Sequence, residues 1–290
     1  MQQNGNAMHT VTTEKQLREL VRQWRESATP LAFVPTMGNL HAGHLQLVRH
    51  ASSVAGRVVV SIFVNPLQFG PREDFASYPV TLEADQAALV QEGADLLFLP
   101  SLAEIYPHGT GATTVVEVPG LNAMLEGEHR PGHFNGVTTV VAKLFNLVQP
   151  DIAVFGEKDY QQLLLIRRMV ADLCMPIRID SVATVREPSG LAMSSRNGYL
   201  AGADRAIAPQ LYQTLLDVQR VLEGGERDYA GVEQAAMQQL AEAGFQPEYV
   251  SVRRQADLAL PGPADRQLIV LAAAVVGRAR LIDNISISVA

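Results

Sequence analysis

Short unbroken apolar runs alternate with stretches of helical periodicity over the first two-thirds of the chain. The runs fall at residues 31–34, 57–64, 95–99, 151–155 and 176–185. A run with no polar alternation predicts a strand covered on both faces, and so a parallel sheet with crossover helices. Between the runs, residues 45–51, 81–93, 137–148 and 160–173 have helical character. Gly93 ends the second of these, and Pro150 follows the third. Repeated β-α-β units predict an α/β fold, a Rossmann-like doubly wound parallel sheet.

The pattern changes near Val185. Leu211, Leu215, Val218 and Leu222 share one helical face, with Asp204 as the expected N-cap and Gly224-Gly225 as the stop. A second helix is expected over 228–243, ending at Gly244. Strands are expected at 249–253, 267–276 and 280–288. Helices followed by strands predict a smaller C-terminal α+β domain. The division is placed at residues 1–184 and 185–290. The apolar run Leu268 to Val276 is too short to cross a bilayer and reads as a buried strand.

Composition narrows the classes. The chain has 290 residues, 47% hydrophobic and 18% charged, as expected for a globular enzyme rather than a disordered chain. A net charge of −7 argues against a broad nucleic-acid surface. No membrane span is expected, and polar residues 1–8 do not read as a secretory leader. One cysteine, Cys174, forms no intrachain disulfide, which fits a reducing cytoplasm. In its apolar setting it reads as a small packing residue, with a nucleophile as the alternative.

Five segments carry chemistry. Pro35 to His44 follows a strand and opens a helix, so backbone N–H groups and the positive end of the dipole face whatever binds there. Gly38 and Gly43 permit a tight turn. His41 and His44 share a face and can donate to phosphate oxygens, or stabilise the charge of a departing pyrophosphate. Ordinary surface histidines, or half a metal site, fit the same spacing. Zinc needs further ligands that no nearby Cys or Glu-x-x-His supplies, and no metal ligands are assigned. The second segment ends a buried strand in Asn65-Pro66-Leu67-Gln68. Ligands bind beyond the carboxyl ends of such strands, where two neutral amides suit a small polar substrate. A turn whose amides satisfy only backbone groups fits equally.

The third segment, residues 125–140, is a Gly-rich charged loop with Arg130 and His133, and a solvated loop is the alternative. In the fourth, a strand ends at Phe155 and Gly156 turns the chain through Glu157, Lys158 and Asp159 into a helix. Lys158 there reaches phosphate oxygens, Asp159 suits ribose hydroxyls or magnesium, and Gln162 follows about a helical turn later. A capped, exposed helix start fits as well. The fifth, Met193-Ser194-Ser195-Arg196-Asn197, sets two hydroxyls before a permanently charged, bidentate side chain. This suits a triphosphate, and equally a Ser-rich linker.

Taken in order, these segments resemble the pantothenate synthetase (pantoate–beta-alanine ligase) family. That family belongs to the nucleotidyltransferase group sharing H-x-G-H with class I aminoacyl-tRNA synthetases. The resemblance runs through nearly the whole chain after its first eight residues. It implies an ATP-dependent ligase that adenylates pantoate, passes the pantoyl group to beta-alanine, and releases AMP and pyrophosphate. It implies ATP contacts from Met37, Gly38, Asn39, Leu40, His41, Ala42, Gly43 and His44. Gly156, Glu157, Lys158, Asp159, Val185 (through its backbone), Met193, Ser194, Ser195 and Arg196 complete that set. It implies a pantoate pocket with Gln68, Gln162 and Asn65, bordered by Arg130 and His133. His44, His41, Lys158 and Arg196 take the catalytic load, with Mg2+ accompanying ATP. A cytoplasmic homodimer is the implied setting. A nucleotide-binding regulatory module and a different adenylyltransferase are the rival readings.

Overall fold

The computed structural model describes residues 8–71, 73 and 75–290. All but Met8 of the polar N-terminal stretch lies outside the described residues. The chain divides into two compact units. The first takes in residues up to Glu157 together with Gln162–Ala183, and the second Lys158–Gln161 with Thr184–Ala290.

Strands of the first unit are β1 (His9–Val11), β2 (Leu31–Thr36), β3 (Arg57–Ile62), β4 (Leu96–Phe98), β5 (Ile152–Gly156) and β6 (Arg178–Val182). Its helices are α1 (Glu14–Glu26), α2 (Ala42–Val54), α3 (Leu82–Gln91), α4 (Leu102–Ile105), α5 (Glu126–His129), α6 (His133–Val148) and α7 (Tyr160–Asp172), whose first two residues fall in the second unit. The strands form one sheet in the order β1-β4-β3-β2-β5-β6, every neighbour parallel. Both faces are covered, as the unbroken apolar runs require. Ala32, Val34, Val58, Val60 and Val154 pack with Leu47, Val48 and Ala51 of α2. Phe33 and Phe155 point the other way and meet Phe145 of α6 edge-on, with centroids 6.3 Å away in each case.

Strand order reverses between β2 and β5, and ligands in open α/β sheets bind outside the carboxyl ends at such a point. β2 ends at Thr36 and β5 at Gly156, so the two strands flanking the reversal lead into the H-x-G-H and Gly-Glu-Lys-Asp segments.

The second unit holds α8 (Gly202–Ile207), α9 (Gln210–Glu223), α10 (Tyr229–Glu242), and the antiparallel strands β7 (Gln246–Arg254), β8 (Gln267–Val276) and β9 (Ala279–Ser288) in sequential order. Leu211, Leu215, Val218 and Leu222 of α9 pack with alternate residues of β8 from Leu268 to Val276. This is the shared face expected from helical spacing. Asp228 caps α10 by accepting from Gly231 N at 3.1 Å.

Three expectations need correction. Asp204 lies inside α8, because Pro209 divides the expected helix and α9 begins after it. The strand expected over 176–185 is only Arg178–Val182. Cys174 is exposed and takes a positive φ of 50° just beyond α7, so it is not a packing residue. β1 and α1 have no counterpart among the expected elements. A three-residue strand has no periodicity to detect, and α1 buries only Leu17 and Val21. Among the described residues, no helix is long and apolar enough to cross a membrane.

Candidate active site

The H-x-G-H segment is a self-capped helix start. Gly38 (φ 82°) and Asn39 (φ 50°) turn the chain out of β2 through left-handed backbone. His41 is the N-cap of α2. Its Nδ1 accepts from Gly43 N at 3.1 Å, while His44 Nδ1 accepts from His41 N at 3.3 Å. A neutral imidazole that accepts at Nδ1 carries its proton on Nε2. Each ring is thereby set as an Nε2–H donor. The rings lie against each other with centroids 4.0 Å apart, tilted by 33°.

Asp85 of α3, which belongs to none of the five segments, holds the turn from outside. It is 3% exposed, and its oxygens accept from Asn39 N at 2.8 Å and Leu40 N at 2.9 Å. Thr81 Oγ1 donates to it at 3.0 Å. The backbone N–H groups of this turn were expected to face a ligand. Those of Asn39, Leu40, His41 and Gly43 are instead engaged within the protein. The imidazole edges are the donors suited to a phosphate. No local pattern marks Asp85, which acts on a residue 46 positions away.

The second segment builds a buried amide cradle. Asn65 is 1% exposed. Its Nδ2 donates to Gln68 Oε1 at 3.2 Å and Gly136 O at 3.0 Å. Its Oδ1 accepts from Leu67 N at 3.3 Å and Tyr106 Oη at 2.8 Å. These bonds use the whole capacity of a side-chain amide. Asn65, expected to face the substrate, is committed to the protein and holds Gln68. The Gln68 Nε2 donates to Met37 Sδ at 2.9 Å, which ties the cradle to the H-x-G-H segment.

Arg130 and His133 converge on the same loop. His133 Nδ1 donates to Gln68 O at 2.7 Å, so its Nε2 is free of the proton and accepts from Arg130 Nη1 at 3.1 Å. Burial, reinforced by the Arg130 charge, lowers the His133 pKa to about 4. Arg130 also donates to Gln68 O at 3.3 Å and grips Glu73 with two bonds, Nε to Oε1 at 2.9 Å and Nη2 to Oε2 at 2.5 Å. Bidentate guanidinium–carboxylate pairs fix geometry as well as charge. Here Arg130 and His133 shape the backbone beneath Gln68. Gly136 lets α6 approach that backbone, since a Cβ there would lie 2.2 Å from Leu67 O.

At the end of β5, Glu157 accepts from Ser181 Oγ at 2.8 Å. Gln162 lies half-buried on the first turn of α7.

In the second unit, Lys158 O accepts from Asn284 Nδ2 at 2.8 Å, and Lys158 Nζ lies 4.0 Å from Asp159 Oδ1. Asn284 is set by Asp283, whose buried carboxylate receives Arg186 Nη1 at 2.6 Å and Nη2 at 2.9 Å. Arg186 also lies over the Tyr212 ring at 3.5 Å. The chain folds back at Gly190, with Met193 N donating to Val185 O at 2.9 Å. Met193 and Val185 thus sit opposite each other. Ser194 caps the following turn by accepting from Arg196 N at 3.2 Å, which sets Ser195 and Arg196 in that turn. The Arg186–Asp283 pair leaves no local signal, because its partners are 97 residues apart.

A doubly wound parallel sheet with a paired-histidine helix start beside its strand-order reversal defines an α/β protein suited to an anionic ligand. Comparison with known proteins narrows this class. The family model described as pantoate-beta-alanine ligase matches residues 9–286. The pantothenate synthetase of Thioalkalivibrio sulfidiphilus is 60% identical over 280 residues, covering 97% of this chain and 98% of that protein. That of Methylococcus capsulatus is 56% identical over 281 residues, with 97% and 98% covered. Among solved structures, pantothenate synthetase from Thermus thermophilus aligns with a TM-score of 0.87 at 47% identity, over 96% of this chain and 99% of that one. The pantoate-beta-alanine ligase of Francisella tularensis, solved with beta-gamma ATP and beta-alanine, aligns with a TM-score of 0.81 at 34% identity, over 96% and 97%. The chain belongs to the pantoate–beta-alanine ligase family, and is an ATP-dependent ligase.

Proposed function

We propose that this chain condenses pantoate with beta-alanine in two steps. The pantoate carboxylate first attacks the α-phosphorus of ATP, forming pantoyl adenylate and releasing pyrophosphate. The beta-alanine amine then attacks the acyl carbon, forming the amide and releasing AMP. A carboxylate is a poor acyl donor, and adenylation gives it a competent leaving group. The observation that carries this reading is the H-x-G-H helix start at the switch point, in a chain matched to the family along 9–286.

The assigned roles follow from the chemistry of each group. His44 and His41 present Nε2–H donors to the phosphates and stabilise the charge that develops as pyrophosphate leaves. Lys158 and Arg196 share that load, with Ser194 and Ser195 on the β and γ phosphates. Met37 to His44, Gly156 to Asp159, Val185 and Met193 line the nucleotide. Gln68 and Gln162 hold pantoate, and neutral amides do so without over-stabilising the ground state. Arg130 and His133 border this pocket and support Gln68.

Magnesium enters with ATP. Such an ion keeps most of its waters and needs only one or two carboxylates beside the phosphates. Asp159, half-exposed, suits either this ion or the ribose hydroxyls. A cytoplasmic homodimer completes the reading, and sedimentation tests the dimer.

The deciding experiment is ATP–pyrophosphate exchange. We expect exchange that depends on pantoate and magnesium, with AMP accumulating only when beta-alanine is added. A folded protein that shows no pantoate-dependent exchange overturns the reading.

A further inference from the structure

A polar chain runs through the core of the first unit and ends on Gln68. Tyr106, at the end of α4, is 3% exposed. Its ring meets Phe63 at 6.2 Å between centroids, and Lys143 Nζ lies 5.5 Å from the ring centre. Its hydroxyl donates to Asn65 Oδ1 at 2.8 Å.

Two backbone groups decide which way round the Asn65 amide sits. Gly136 O can only accept, and Leu67 N can only donate. Oδ1 therefore faces Leu67 and Tyr106, and Nδ2 faces Gly136 and Gln68. The second Nδ2 proton falls on Gln68 Oε1 at 3.2 Å. Gln68 is thus turned with its Nε2 outward from Asn65, where it donates to Met37 Sδ at 2.9 Å. A thioether is a weak acceptor. An amide N–H resting on one gains by exchanging it for a ligand oxygen.

We propose that Tyr106 is a positioning residue of the pantoate pocket. Acting through Asn65, its hydroxyl holds Gln68 with N–H donors toward the ligand. The pocket therefore selects a hydroxyl or carboxylate oxygen at that point. The proposal rests on the reading of Gln68 as a pantoate ligand. Hydrogen bonds in series polarise one another, so loss of the first weakens the last. Burial holds the Tyr106 phenol protonated, well above its ordinary range, and it donates throughout the working pH range. A buried tyrosine that had only found a partner for its hydroxyl would affect stability, not the binding of one substrate.

The test compares Tyr106→Phe with Gln68→Ala in steady-state kinetics. Tyr106→Phe should raise the pantoate KM about three- to tenfold, the worth of one neutral hydrogen bond, while the ATP KM and kcat stay within about twofold. Gln68→Ala should raise the pantoate KM further. If Gln68→Ala does so and Tyr106→Phe leaves it unchanged, or shifts all constants alike, the relay is overturned while the pocket stands. If Gln68→Ala leaves the pantoate KM unchanged, the pocket reading falls and the relay with it. A second measurement needs no variant. In native protein labelled with 15N-glutamine, the Gln68 side-chain NH2 signal should move when pantoate is added with a non-hydrolysable ATP analogue. A signal indifferent to saturating pantoate also overturns the proposal.

Discussion

The H-x-G-H turn and the Gln68 cradle both follow the carboxyl ends of neighbouring strands, yet they are held in opposite ways. The turn closes largely on itself. His44 caps the backbone of His41, and His41 that of Gly43, within one helical turn, and Asp85 reaches in from elsewhere. The cradle imports its supports. Tyr106, Arg130, His133 and Gly136 come from 41 to 71 positions away in sequence and converge on Asn65 and Gln68. A locally closed element leans on few distant residues, here chiefly Asp85. An imported one fails when any supporting element shifts. The contrast also fits the chemistry assigned to each. Phosphates need donors at a helix start, which local sequence can supply. A small hydroxy acid needs amides of fixed polarity, and only surrounding tertiary contacts fix polarity.

The comparison can be broken at several points. The largest effect is expected at the reacting phosphates. His44→Ala should lower pantoate-dependent ATP–pyrophosphate exchange by about a hundred- to a thousandfold, the usual cost of removing one donor to developing charge. Exchange that survives nearly unchanged would remove His44 from its role. Asp85→Asn comes next. It replaces a carboxylate receiving two backbone N–H groups with an amide whose NH2 opposes one of them. We expect a loss of about 1.5–3 kcal/mol in urea unfolding, with a raised ATP KM. If the ATP KM holds, the turn is as self-sufficient as its caps suggest.

Gly136→Ala strikes the cradle. Its new methyl group would sit 2.2 Å from Leu67 O, so α6 or the loop must shift. Overpacking of this kind costs about 1–3 kcal/mol, read by urea unfolding. Here the pantoate KM should rise while the ATP KM stays near its original value. Equal rises would show that the two loops are one mechanical unit.

The last test is a pH dependence. An unfolded histidine titrates near its ordinary value of 6.5, while His133 is lowered to about 4 by burial and Arg130. Between those values the unfolded chain binds more protons than the folded one, so stability falls as pH falls through the window. Above the window the ring is neutral in both states and the contribution is complete. His133→Asn should flatten this part of the pH–stability curve in urea titrations from pH 7.5 to about 4. An unchanged slope would mean that another group controls it.

Much of the framework was legible in the sequence. Unbroken apolar runs at β2, β3 and β5 marked strands covered on both faces, because no polar side appears in them. Leu211, Leu215, Val218 and Leu222 marked the buried face of α9, because helical spacing is local. The H-x-G-H, Asn-Pro-x-Gln and Gly-Glu-Lys-Asp segments were visible because each spans only a few residues after a strand. Pro209 was also in plain sight, yet the shared face hid the break it makes before α9.

Tertiary structure decided which polar atoms of those segments face inward. Asn65 and Gln68 look alike as sequence, two amides after a strand. Asn65 is taken up in full by Gly136, Leu67, Tyr106 and Gln68, whereas Gln68 rests its Nε2 on a weak sulfur acceptor. The N–H groups of Asn39 and Leu40 belong to Asp85 for the same reason. Periodicity encodes which face of an element is apolar. A polar group has only a few hydrogen bonds to give, and partners brought together by folding determine where they go.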